Sequence, residues 1–213
     1  MVKNNKQGWR NPLSIPQTTS SALRGKQSVR ATFKLTEGCI EAISIVATHL
    51  GIKQKSLFDH LVEDSHSLMS IASEIQNIKL TKGSVKNRQR IQKTYVLSRN
   101  SVILLDSVSK NYNAPRDALV EYSVQRLLPI IAREREKHAK RKKLFIEITE
   151  HFEKGKQLLD KFLMALGEED PLCDKFEAAM VFYANAYNNI DSFIERSKII
   201  EDFDPDLVVK IFK

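Results

Sequence analysis

Val29-Arg30-Ala31-Thr32-Phe33-Lys34-Leu35 and, 62 positions further on, Ile91-Gln92-Lys93-Thr94-Tyr95-Val96-Leu97 are the stretches from which the fold is read. Each alternates side chains on a period of two and is rich in β-branched and aromatic residues, the signature of a strand of about 6–7 residues. The likeness extends beyond the strands. Residues 29–62 recur without a gap as 91–124: Val29/Ile91, Thr32/Thr94, Phe33/Tyr95, Leu35/Leu97, Thr36/Ser98, Ile40/Val102, Ile43/Leu105, Val46/Val108, Leu50/Tyr112, Gly51/Asn113, Leu57/Leu119, Asp59/Glu121 and Val62/Val124. An internal duplication of this kind decides the architecture before any single element does.

Within each copy the period changes after the strand. Thr36 and Ser98 are helix N-capping residues. Beyond them Ile40, Ile43, Val46, Ala47 and Leu50 fall on one helical face, as do Val102, Leu105, Val108 and Tyr112. Gly51 and Asn113 stand where a helix ends in a left-handed residue. A second helix then carries Leu57, Leu61 and Val62, or Leu119, Val120 and Val124, with Pro115 suited to its first turn. One strand-helix-turn-helix unit of about 35–40 residues cannot bury its apolar face alone, and a lone strand leaves its backbone unpaired. Two copies answer both needs: the strands pair as an antiparallel ribbon and four helices interlock beneath it.

Phe33-Lys34-Leu35-Thr36-Glu37, the sixteen residues from Leu35 to Gly51, and Ile52-Lys53-Gln54-Lys55-Ser56 resemble the ribbon-helix-helix DNA-binding proteins of the Arc/MetJ type. The second copy keeps the same interval from Leu97 to Asn113. Members of that family are usually homodimers with one strand from each chain. Here the resemblance is to the single-chain, pseudo-dimeric form, over about residues 27 to 128. It implies sequence-specific binding of double-stranded DNA by a ribbon in the major groove. Phe33, Leu35, Tyr95 and Leu97 are expected to face the core. The opposite parity, Arg30, Thr32 and Lys34 with Gln92, Thr94 and Val96, matches the family's base-contacting face. Arg and Lys suit guanine, Gln suits adenine, Thr is versatile, and Val96 departs from the pattern by offering only a thymine-methyl contact. Lys93, on the inward parity, is a second departure. The family docks the start of its second helix on the phosphate backbone; Lys53, Lys55 and Arg116 lie there, without the Ser or Thr cap expected in copy one. The bland alternative for all nine residues is a solvated polar face.

Charge supports a polyanionic partner for the first part of the chain only. Residues 1–143 hold 26 Lys+Arg against 11 Asp+Glu, a balance of +15, and residues 144–213 hold 8 against 15, a balance of −7; together these give the chain's +8. Such a balance also suits acidic membranes or RNA, though an A-form major groove does not admit a ribbon. Three regions are expected: a flexible basic arm, 1–26; the tandem ribbon-helix-helix domain, 27–131; and a helical association domain, 132–213. Leu68, Met69, Ile71, Ala72, Ile75 and Ile78 have helical spacing between the copies, and Lys79 to Arg90 reads as a basic loop with Lys82, Lys86 and Arg88. Pro129 is expected to end or kink the last helix of the second copy, and Arg133–Lys143 to form a solvated basic helix surface.

Beyond it, Phe145, Ile148, Phe152, Leu159, Phe162 and Leu166 form one seam, and Phe176, Met180, Tyr183, Tyr187, Ile190 and Ile194 a second. Gly167 to Pro171 separate them, so an antiparallel helical hairpin is expected. Leu158, Leu163, Phe182 and Phe193 are left for its outer faces, which points to self-association or a protein partner through residues 145–200. Asp204-Pro205 opens a final short helix through Phe212. The fold class is therefore mainly α, with one two-stranded ribbon.

Catalytic chemistry is not in evidence. Cys39 and Cys173 read as buried thiols. The five histidines have no metal-ligand spacing with them, and no phosphate loop, zinc-protease helix or nucleophile elbow occurs. No enzyme, cofactor or metal is expected. With no signal-like run and no span near about 18 apolar residues, a cytoplasmic protein without membrane partners is expected. The resemblance implies a transcriptional regulator, with plasmid partition, conjugative transfer and antitoxin proteins as uses of the same reader. The competing reading is a helical adaptor whose ribbon only holds the fold together.

Overall fold

The computed structural model describes residues 27–81 and 89–208. The expected arm, 1–26, and Lys82, Lys86 and Arg88 lie outside them. Within the described residues the protein is mainly helical, with one two-stranded antiparallel sheet. β1 (Ser28–Thr36) pairs with β2 (Arg90–Ser98), from Ser28 opposite Ser98 to Thr36 opposite Arg90. This register sets Thr32 against Thr94, its counterpart 62 positions away, with the two hydroxyls 2.9 Å apart. A slip of one residue would turn every side chain to the other face. As paired, Phe33, Leu35, Tyr95 and Leu97 are all buried. The alternation fails only at the start of β2, where Ile91 and Lys93 stay exposed; a lysine stem long enough to carry its ammonium to water explains the second.

Each strand runs straight into a helix, α1 (Glu37–Leu50) after β1 and α4 (Arg99–Asn111) after β2. Both end as their sequences predict. Gly51 has φ 64° and Asn113 φ 47°, and the next N–H groups, of Ile52 and Ala114, each return 3.0 Å to a carbonyl five residues back. α2 (Gln54–Glu63) and α5 (Arg116–Ser123) follow. Pro115 is not in the first turn of α5 but at its N-cap, with ψ 136°, because the chain must leave the Asn113 turn extended before it can coil. α3 (Ser65–Thr81) starts after Asp64, whose carboxylate accepts from the Ser67 N–H at 3.1 Å. Its helix continues through Thr81, three residues into the stretch expected to be a loop.

The copies are locked to each other at their helix starts. The Thr36 N–H donates to Glu121 Oε1 at 3.0 Å, and the Ser98 N–H donates to Asp59 Oδ1 at 2.8 Å. Donors and acceptors are both counterparts across the repeat, so a carboxylate on the second helix of each copy satisfies the strand–helix corner of the other. Arg90 completes the Glu121 site with a 2.9 Å ion pair, and Ser101 donates to Asp59 at 2.6 Å. Glu121 is only 1% exposed, so truncating it strands the Thr36 N–H without water. Glu121→Ala is expected to lower unfolding free energy by about 1–3 kcal/mol, read from a urea midpoint, with Glu121→Gln recovering part of the loss.

α1 is the element the rest surrounds. Gly38, Cys39, Ala42, Ile43, Ile45, Val46, Ala47 and His49 are buried, which is more than one face. Leu50, expected in the core, is 44% exposed, and His49 takes the inward place. The cover comes from the far end of the chain: Ile131, Ile200, Phe203 and Val208 join the same core as both strands. Gly38 permits the closest approach, because a Cβ there would lie 2.6 Å from Leu207 Cβ and 2.8 Å from its backbone carbon. Among the described residues α4 of copy two has no such cover, and its Ile103 is 58% exposed.

A 3₁₀ turn, Val124–Leu127, leads from α5 into the long α6 (Leu128–Leu166), about 58 Å of helix. Pro129 does not end a helix; it lies in the first turn of α6, where its missing N–H costs nothing. α7 (Pro171–Ser197) returns after Gly167, which has φ 86°. Ring contacts between α6 and α7 run in opposite order, Phe145 with Tyr187, Phe152 with Tyr183 and Tyr187, and Phe162 with Phe176. Leu166, assigned to the seam, is 48% exposed, since α7 has not yet begun opposite it. Of the four residues assigned to outer faces, Leu158 and Phe182 are exposed; Leu163 and Phe193 are half-buried, the latter with the Arg141 guanidinium 5.6 Å from its ring. The expected final helix is a single 3₁₀ turn, Pro205–Leu207, and residues 209–213 lie outside the described chain.

Candidate nucleic-acid interface

The ribbon presents one polar face to solvent. Arg30, Thr32, Lys34, Gln92, Thr94 and Val96 are all exposed, and the register gathers them into three cross-strand pairs. Arg30 lies opposite Val96, Thr32 opposite Thr94, and Lys34 opposite Gln92. Nine residues per strand make a blade about 30 Å long. One end therefore carries a guanidinium beside a methyl pair, and the other an ammonium beside an amide. Only the central threonines are alike.

The two helix starts near this blade differ too. α2 begins at Lys53 and Gln54 with no side-chain cap and no acidic residue in its first turn, so its N–H dipoles and Lys53 act together. Lys55 Nζ donates to Ser28 Oγ at 2.9 Å, which ties this helix start to the Arg30 end of the ribbon. α5 also lacks a side-chain cap, but Asp117 sits in its first turn. Arg116 is paired with Asp106 at 2.8 Å and has its guanidinium 5.7 Å from the Phe33 ring. Positive charge free for a phosphate is thus concentrated at the α2 start.

The basic run 133–143 is not a uniformly solvated surface. Glu134 and His138 are each 2% exposed. Arg135 donates to the carbonyls of Ile200 and Phe203, Arg141 pairs with Glu134 at 2.9 Å, and Lys142 pairs with Glu201 at 3.0 Å. The Arg135 and Lys142 contacts join α6 to the residues just after α7, the Glu134–Arg141 pair lies within α6, and Arg141 also reaches His49 near the end of α1. Burial alone would raise the Glu134 carboxyl, but hydrogen bonds from Lys137 and Arg141 outweigh it and hold the group below the usual range. An open cavity of about 470 Å³ beside this junction is lined by Arg135, His138, Lys142, Lys143 and Ile146, with Glu201 at its side in contact with Lys142 and His138.

His49 sits at the centre of that junction, a role no sequence signal gave it. Arg141 has only donors, so its 3.1 Å contact makes His49 Nδ1 the acceptor and leaves the proton on Nε2, which donates to the Ser197 carbonyl at 3.1 Å. A second proton would have to point at the guanidinium. Burial, together with the nearby His138 and Arg141, holds His49 below the ordinary imidazole value, although Ser197 and Glu134 pull the other way. The unfolded chain therefore takes up this proton first as pH falls. The stabilising contribution is complete above about pH 6.5, the unfolded value, and is lost as pH drops from there toward the lower folded value. Urea titrations at intervals from neutral to mildly acidic pH are expected to show this slope in the wild type and a flatter one in His49→Gln. The carboxylates Glu134 and Glu201, both held low, add their loss only in the more acidic carboxylate range.

Cys39 and Cys173 are both buried and are not joined by a disulfide; the Cys39 thiol donates to the Glu121 carbonyl at 3.6 Å. Among the described residues, no group of three His, Cys, Asp or Glu side chains is arranged to hold a metal ion, and no helix is long and apolar enough to cross a membrane. No protein-family model, curated protein or solved structure matches the chain.

Proposed function

We propose that this protein binds double-stranded DNA at specific sequences, inserting the β1–β2 ribbon in the major groove, and that it serves as a transcriptional regulator. The reading takes the two strand-helix-helix copies as a single-chain ribbon-helix-helix reader and the α6–α7 pair as a helical hairpin appended to it. The observation that carries it is the composition of the outward ribbon face: six exposed side chains in three facing pairs, five of them able to hydrogen-bond a base edge. A ribbon that only closed the fold would have no need to hold such a set clear of the core. The +15 balance of residues 1–143 supplies the non-specific attraction that brings the blade to a polyanion.

Selection of bound fragments from random or genomic DNA tests the proposal. Because the ribbon ends differ, the selected site is expected to be asymmetric, with guanine favoured at the Arg30 end and guanine or adenine at the Lys34–Gln92 end. Affinity for that site is expected to fall steeply with salt, log K against log[salt] having a slope of about −0.9 for each phosphate neutralised. No enrichment at low salt would remove the DNA reading and leave the helical adaptor. A perfect inverted repeat would contradict the asymmetric face.

A further inference from the structure

The outward side of α7 bears a feature that DNA binding does not use. From Ala178 to Ile190 the helix runs for thirteen residues without one charged side chain, in a chain that is 28% charged. Met180, Tyr183, Tyr187 and Ile190 in that run are half-buried on the α6 side. Ala178, Phe182, Asn185 and Asn189 repeat at spacings of 4, 3 and 4 on the opposite side and are all exposed, Phe182 at 76%. That spacing is a heptad seam, the pattern by which one helix receives another. α7 thus carries two seams, and α6 occupies one of them.

We propose that the second seam docks on the same seam of a second copy, so that the chain forms a dimer through α7. Three features of the face favour a second copy over another partner. It offers no cation for a nucleic acid and no charge for an acidic or basic protein, whereas two such faces meet without burying an ion. Asn185 and Asn189 each carry a donor and an acceptor, so an asparagine seam is complementary to itself, and asparagines at seam positions fix register and oligomeric state. Phe182 between small or polar neighbours gives the large-against-small relief that an isologous contact requires. Thirteen residues make a seam only about 20 Å long, below a standard interface of about 800 Å² per partner even with the exposed Val181 next to Phe182 on α7. The dimer is accordingly one that dissociates on dilution.

Sedimentation equilibrium of the full chain without DNA, over a concentration series, tests this independently of any DNA reading. The wild type is expected to approach twice the chain mass of 24.4 kDa as concentration rises. Phe182→Glu and Ala178→Glu, both at exposed positions, are expected to stay at the single-chain mass with unchanged far-UV circular dichroism. Met164→Glu, at a residue 87% exposed on α6, is expected to dimerise as the wild type does. A single-chain mass for the wild type up to its solubility limit overturns the proposal. So does a dimer that survives both α7 substitutions, or one that Met164→Glu abolishes equally.

Discussion

Replacing Arg30, Thr32 and Lys34 together by alanine is expected to abolish sequence-specific DNA binding while leaving the fold intact. All three are exposed, and each projects from the face of β1 opposite Phe33 and Leu35, so their truncation opens no cavity. A good bidentate base contact contributes about 1–3 kcal/mol of discrimination. Losing the Arg30 and Lys34 contacts, with the Thr32 hydroxyl, should reduce affinity for a selected site by about 100-fold or more. Binding to unrelated DNA should fall much less, because most of the positive charge lies elsewhere in residues 1–143. Fluorescence anisotropy with a selected and a scrambled duplex separates the two. The counterpart triple, Gln92, Thr94 and Val96 to alanine, should cost less, since Val96 brings no hydrogen bond. Lys53→Ala offers a contrast of another kind: at the cap of α2 it should weaken both duplexes alike and flatten the salt slope. Equal affinity of the β1 triple variant and wild type for the selected duplex would remove the ribbon from the recognition.

Phe58→Ala is expected to be the most damaging single change to stability. Phe58 is fully buried on α2 and joins the two strands from below, its ring 5.8 Å from that of Phe33 and 4.5 Å from that of Tyr95. Its truncation removes an aromatic pair on each side and leaves a cavity under the centre of the ribbon. Substitutions of this kind cost about 3–5 kcal/mol, a large share of a typical domain's stability of about 5–15 kcal/mol. The midpoint of urea unfolding should drop accordingly. Tyr95→Phe makes an informative comparison at the same spot. The Tyr95 hydroxyl is buried with no partner, and burial pushes the phenol up to about 12. Removing it should leave stability unchanged or slightly higher. A midpoint shift for Phe58→Ala no larger than that for Tyr95→Phe would show that the strands are held by something other than this aromatic stack.

What the sequence revealed and what it hid divide along one line. Period-two alternation placed both strands, and the positions of Phe33, Leu35, Tyr95 and Leu97 turned the right faces inward, because a strand's side-chain direction is fixed by backbone geometry alone. Gly51 and Asn113 marked helix ends for the same reason: positive φ is a local demand. Phe58 was missed because its counterpart is Val120, so the repeat pointed away from an aromatic there, and only the meeting of three elements gives it a role. Asp59 and Glu121 were matched as a pair, yet that each reaches across to the other copy depends on how the copies interlock. Leu50 and His49 exchanged expected places because the covering of α1 arrives from residues about 80–150 positions later, and helical periodicity carries no information about such a neighbour. The run 133–143 misled for a related reason. Its composition matches a wet surface, but Arg135, His138, Arg141 and Lys142 have partners at residues 49 and 200–203.

Because β1 and β2 belong to one polypeptide, the blade they form needs no encounter between molecules. A reader assembled from two separate chains comes apart when its concentration falls below the dissociation constant of the pair. Here the second strand is present at a fixed effective concentration set by the intervening chain, whatever the number of copies in a cell. The tether also frees the two strands to diverge, since a substitution in one is not automatically imposed on the other. Arg30 faces Val96 at one end and Lys34 faces Gln92 at the other, whereas two identical strands in this register would set Arg30 opposite Lys34 at both ends.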